Sequence, residues 1–189
     1  MSENKWKKEI CTIPNLLSLV RLILIPVYLH IYRTGQYLPA GAILALSCLT
    51  DLADGRIARE FHMSSNVGKV LDPLADKLTQ FFLLLSLAKR YRIIYPMLWL
   101  FVVKELFQLG TMLVFLRKRK ALAGALDAGK ISTCALFVSL TVLVLFPTLS
   151  RTFVFVLIST DTALLFYAFY NYFLAYFGRN TKLTDLETE

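Results

Sequence analysis

Six apolar runs fill most of the chain between Asn15 and Phe177, and several approach the ~20 residues that a helix needs to cross hydrocarbon. Composition agrees: 57% of the residues are apolar. The polar residues stand mainly between the runs and are too few to clothe a soluble surface. The pattern predicts an all-α integral membrane protein with six transmembrane helices.

The first span is expected from Asn15 to Tyr32, with Pro14 near its start where a first helical turn tolerates proline. The second is expected from Leu38 to Phe61 and the third from Pro73 to Ala88. A fourth follows the Lys89–Arg92 turn and Pro96 and ends near Leu116. The fifth runs from Ala128 to Phe146 and the sixth from Thr152 to Phe177. Residues 1–12 form an N-terminal interfacial segment, a short surface helix with Trp6 and Ile10 towards lipid and Lys7 and Lys8 towards water. Residues 13–178 are the membrane domain, and residues 179–189 a polar, loose tail. Asn15 and Arg21 inside the first run, with no small-x-small cleavage site, favour an uncleaved first helix over a secretory signal.

The net charge of +8 gathers beside the spans, which suits an anionic membrane surface and gives no reason to expect a nucleic-acid partner. With both termini inside, ten basic residues flank the interior and five the exterior, omitting those of the acidic motif below. That bias favours cytoplasmic termini, against the contrary signal of Lys89, Arg90 and Arg92. Cys11, Cys48 and Cys134 are odd in number and far apart, so they are read as buried spectator thiols. With His30 and His62 the only histidines, a histidine-based metal site or triad is disfavoured.

Against this background four carboxylates stand out: Asp51, Asp54, Asp72 and Asp76. A charged Asp at the centre of a membrane helix costs roughly 2.5–3.5 kcal/mol on insertion scales. Asp51 and Asp54 are three apart and Asp72 and Asp76 four apart, so each pair shares a helix face. The apolar parts of the second and third spans, Leu38 to Leu52 and Phe81 to Leu87, are too short to cross alone, and the acids lie at their facing ends. An antiparallel hairpin would gather them at one membrane face around an all-oxygen site for a hard divalent cation, Mg²⁺ or Mn²⁺. Gly55 and Ala58 remove bulk beside the acids, Arg59 offers a forked donor to phosphate, and Gly68 permits close backbone approach. Taken singly, the small residues suit helix packing equally well, and Arg59 an interfacial cation.

Together these positions resemble the signature of the CDP-alcohol phosphatidyltransferase family, D-x2-D-G-x2-A-R-x8-G-x3-D-x3-D, at Asp51, Asp54, Gly55, Ala58, Arg59, Gly68, Asp72 and Asp76. The resemblance extends to the six-helix organisation and to chain size. It implies a homodimer in the cell membrane with a cytoplasm-facing site, two divalent ions, a CDP-linked lipid and displacement of CMP by an alcohol. On it, Asp51, Asp54 and Asp72 are the principal metal ligands. Asp76 is the candidate base for the attacking hydroxyl and also touches a metal. Asp51, Gly55, Ala58, Arg59 and Gly68 hold the CDP-lipid.

Within the family, the stretches Ile13–Arg21 and Asp72–Lys77 look most like phosphatidylglycerophosphate synthases and the related cardiolipin synthases. Lys104-Glu105-Leu106 stands where those synthases usually carry Arg-Glu-Ile, and Gly129-Lys130 resembles their Gly-Lys. Lys104 and Lys130 are therefore candidate receptors for an acceptor phosphate. The expected reaction is transfer from CDP-diacylglycerol to glycerol 3-phosphate. Phosphatidylglycerol or an inositol phosphate is the rival acceptor. A proton- or metal-coupled transporter would explain the acids but not Gly55, Ala58, Arg59 or the eight-residue gap.

Overall fold

The computed structural model describes residues 12–60, 68–117, 120–122, 127–177 and 183–185. Within these residues lie six helices: α1 (Ile13–Arg33), α2 (Tyr37–Glu60), α3 (Gly68–Ala88), α4 (Ile94–Arg117), α5 (Asp127–Leu145) and α6 (Arg151–Phe177). A minimal antiparallel ladder joins β1 (Lys120–Leu122) to β2 (Leu183–Asp185), pairing Ala121 with Thr184. Those three residues of the expected loose tail are thus paired. The expected interfacial segment lies outside the described residues, except Thr12, which stands at the N-cap position of α1 without a side-chain capping bond.

The stretches Asn15–Arg33, Ile94–Val114, Ala128–Leu145 and Arg151–Phe177 are long and apolar enough to cross a membrane, whereas Tyr37–Thr50 is a shorter apolar stretch. Large apolar side chains stand exposed along these helices, among them Ile23, Trp99, Leu106, Val138 and Phe166. That distribution is unfavourable in water and natural against lipid, where an apolar outer face costs nothing. The chain is an all-helical membrane protein. Cys134, expected to be buried, is exposed on α5, and Cys48 is half-buried. A small apolar thiol is at ease on a lipid-facing surface.

The chain divides into two compact units. The first comprises Met1–Leu87 with Thr141–Pro147, and holds α1, α2, nearly all of α3 and the end of α5. In it α1 and α2 form a tight helical hairpin. Gly35, at φ 79°, supplies the left-handed residue after the Thr34 cap. The Gly35 amide donates to the Tyr32 carbonyl at 3.1 Å and the Gln36 amide to that of Ile31 at 3.4 Å, the Schellman pattern that closes a helix sharply. Ala40 and Gly41 on α2 are small where α5 arrives: a Cβ at Gly41 would meet the Leu145 side chain. Leu44, Leu83, Leu84, Leu87, Leu143 and Val144 complete the unit's apolar core.

The second unit comprises Ala88–Leu140 with Thr148–Glu189. Its α4 and α6 pack through aromatic rings, Phe107 meeting Phe169 edge-on at 5.1 Å and Phe173 at 6.0 Å. Asp161 of α6 is buried and hydrogen-bonded to Ser139 of α5. The turn before α4 closes with the Ile94 amide on the Tyr91 carbonyl at 2.9 Å.

Candidate active site

α3 begins at Gly68, ahead of the start expected at Pro73. Pro73 therefore lies inside the helix, and Asp72 and Asp76 are one turn apart on a single continuous rod. Both carboxylates are half-buried, and Gly68, the first residue of the helix, is buried. α2 remains helical through Glu60, so Asp51, Asp54, Gly55, Ala58 and Arg59 occupy its last turns. The side chains of those five lie outside the described residues. All eight motif positions belong to the first unit.

α1 supplies a partner that the acidic motif does not contain. The Ser18 hydroxyl donates a hydrogen bond to Oδ1 of Asp72. Ser18 is one of three buried polar residues, with Asn15 and Arg21, spaced three apart along α1. Farther along the same pair of helices, the Tyr28 and Ser86 hydroxyls bond at 2.9 Å. Both bonds advance in the same direction on α1 and α3, so the two helices run parallel and their register is pinned at two levels. The three-residue period of Asn15, Ser18 and Arg21 in an apolar run was the available signal for this polar face.

Asp72 and Asp76 offer carboxylate oxygen only, the donor chemistry of a hard divalent cation. Among the described residues no three His, Cys, Asp or Glu side chains converge. The described motif side chains provide two of the four acids. An oxygen-only donor set with one member tethered by a hydroxyl fits Mg²⁺ or Mn²⁺ and offers nothing to a softer ion.

The two candidate phosphate receptors lie in the second unit. Lys104 of α4 is 2% exposed. Its Nζ donates to Glu105 Oε1 at 2.7 Å and lies 5.7 Å from the centre of the Tyr172 ring. Tyr172 of α6 in turn packs on the start of α5, where a Cβ at Gly129 would stand 2.6 Å from the Tyr172 hydroxyl. Lys130, the next residue, is exposed. Sequence reasoning singled out Lys104, Gly129 and Lys130 without Tyr172, an aromatic among many on an apolar helix and so without a distinguishing signal.

Comparison with known proteins adds three findings. The family model described as CDP-alcohol phosphatidyltransferase matches residues 11–175. A CDP-diacylglycerol–glycerol-3-phosphate 3-phosphatidyltransferase from Aquifex aeolicus (strain VF5) is 39% identical over 133 residues, covering 69% of this chain and 73% of that protein. A cardiolipin synthase (CMP-forming) from Homo sapiens is 38% identical over 104 residues, covering 54% of this chain and 33% of that protein.

Proposed function

The chain belongs to the CDP-alcohol phosphatidyltransferase family, and from that premise we propose that it transfers the phosphatidyl group of CDP-diacylglycerol to glycerol 3-phosphate. It is a transferase of phospholipid synthesis. The observation that carries the choice of acceptor is the likeness to the Aquifex aeolicus enzyme along most of that protein's length. The human cardiolipin synthase is matched over a third of its length.

In this reading the hydroxyl oxygen of glycerol 3-phosphate forms a bond to the phosphatidyl phosphorus. The bond from that phosphorus to the bridging oxygen breaks, and CMP departs with that oxygen. Asp76 accepts the hydroxyl proton on its carboxylate. Arg59 offers a forked pair of donors to the pyrophosphate, while Gly55, Ala58 and Gly68 let the nucleotide approach the backbone. Asp51, Asp54 and Asp72, with Asp76 beside them, are the oxygen ligands for two divalent ions, which when bound supply positive charge to the pyrophosphate and the departing CMP. Lys104 and Lys130 receive the acceptor phosphate. In Lys104 the charge is already shared with Glu105, so it contributes as one half of a polarised pair.

The same reading includes six membrane spans, an interfacial helix over residues 1–12, a homodimer, and a site facing the cytoplasm at the cell membrane. Family membership and the excess of bases flanking the interior support it. Cardiolipin synthesis, with phosphatidylglycerol as acceptor, is the second reading, supported by the likeness to the human enzyme. The deciding experiment supplies purified protein with CDP-diacylglycerol and Mg²⁺ and offers glycerol 3-phosphate, phosphatidylglycerol or an inositol phosphate. CMP release and a phosphatidylglycerophosphate product with glycerol 3-phosphate alone are expected. Transfer to phosphatidylglycerol with none to glycerol 3-phosphate would overturn the acceptor and leave the chemistry standing.

A further inference from the structure

We propose that Ser18 of α1 is a positioning residue for Asp72, holding one carboxylate oxygen so that the other faces the divalent-ion site; this rests on the metal-site reading above. The hydroxyl is fully buried, and it donates to Asp72 Oδ1 on a helix 54 residues away in sequence. Hydroxyls elsewhere in these helices show the ordinary alternative, bonding back to a carbonyl three or four residues earlier. Thr79 does so to Ala75, Thr111 to Phe107 and Thr162 to Ile158. Those bonds satisfy the hydroxyl within its own helix and orient nothing else. The Ser18 bond crosses between helices and ends on a motif carboxylate.

A carboxylate on a helix turns freely about its side-chain bonds unless something holds it, and a metal ligand that must be ordered on binding loses affinity through that entropy. The Tyr28–Ser86 bond fixes α1 against α3 at a second level, so the position of Ser18 relative to Asp72 is set by the helix pair itself. Asn15 and Arg21, three residues to either side of Ser18 on α1, are buried polar residues as well.

Partners that orient metal ligands typically matter by about 10- to 100-fold in metal affinity. The test measures Mn²⁺ binding by electron paramagnetic resonance on the purified full chain without CDP-diacylglycerol, so the readout does not depend on turnover. Ser18→Ala should weaken Mn²⁺ binding by at least about tenfold, and Ser18→Thr, which keeps the hydroxyl, should restore it. In turnover assays the Ser18→Ala variant should need more Mg²⁺ for half-activation. At saturating Mg²⁺ its KM for CDP-diacylglycerol should match that of the parent. Asp72→Asn is the control for the site, and thermal unfolding of each variant reports folding. Parent-like Mn²⁺ affinity in Ser18→Ala, with loss in Asp72→Asn, would overturn the positioning role and leave the metal site standing. Equal binding by the parent and Asp72→Asn would overturn both. A Ser18→Ala variant whose lost affinity is not restored by Thr, although both fold, would also count against a hydroxyl tether.

Discussion

Lys104 illustrates how a charge survives inside a membrane helix. At 2% exposure it would be costly alone, and two neighbours compensate it: the Glu105 carboxylate at 2.7 Å and the face of Tyr172 at 5.7 Å. Tyr172 can reach that position because residue 129 is glycine. With alanine there, the new Cβ would lie 2.6 Å from the hydroxyl and 3.0 Å from the Cε2 atom of the ring. Overpacking of this kind costs about 1–3 kcal/mol, so Gly129→Ala should lower the thermal midpoint of the purified protein by several degrees. Adding Tyr172→Phe removes the nearest clashing atom while keeping a ring over Lys104, and should recover part of the loss. An unchanged midpoint in Gly129→Ala would mean that the ring moves aside at no cost. The two lysines should also separate in their behaviour. Lys130→Ala, at an exposed position, should raise the KM for glycerol 3-phosphate about ten- to a hundredfold without lowering the midpoint. Lys104→Ala should do both, because Glu105 loses its cation. Steady-state kinetics alongside unfolding curves distinguish these outcomes.

At the scale of the helix, α3 decides how the acids are presented. The sequence suggests a start at Pro73, since proline fits a first turn, yet the helix begins at Gly68. The missing amide of Pro73 forgoes one bond near the helix start, and the helix continues through it. Asp72 thereby joins Asp76 on one rod at a spacing of one turn, and α1 reaches Asp72 through Ser18. The two acids hold different roles in the proposed reaction, which mutation can separate. Asp72→Asn should reduce Mn²⁺ affinity and turnover together. Asp76→Asn should reduce turnover by roughly 10²–10⁴-fold while CDP-diacylglycerol binding changes far less. Binding measured by calorimetry beside single-turnover CMP release would check this. Near-normal turnover of the Asp76 variant at neutral pH would exclude it as the base.

For the molecule as a whole, the exposed apolar helix faces and the half-buried acids make opposite demands on the surroundings. The faces require lipid, while carboxylates at Asp72 and Asp76 require water or a cation. In the proposed reading a divalent ion would meet the second demand, with oxygen ligands and no softer donor in the motif. Chelation should therefore abolish CMP release, and Mg²⁺ or Mn²⁺ should restore it, in protein kept in the same detergent or bilayer throughout. Full activity in excess chelator, with residual metal measured and absent, would refute metal dependence. Restoration by Zn²⁺ alone would contradict the hard-ion assignment.

Much of this protein is legible in the order of its residues. Helix existence follows from apolar run length, because hydrocarbon sets the number of residues required. The placing of Asp72 and Asp76 one turn apart on one helix follows from spacing, because a four-residue interval fixes which side chains share a helix face. The Lys89–Arg92 turn marks a helix boundary through local chemistry, which depends on near neighbours. What remained for the tertiary structure depends on residues distant in the chain. Ser18 reads as one hydroxyl in an apolar helix until α1 and α3 are set parallel with Asp72 opposite it. Gly129 reads as a helix-start glycine until Tyr172, on another helix, is found against it. In each case helix packing selects the partner, and packing is a property of surfaces assembled from several segments at once.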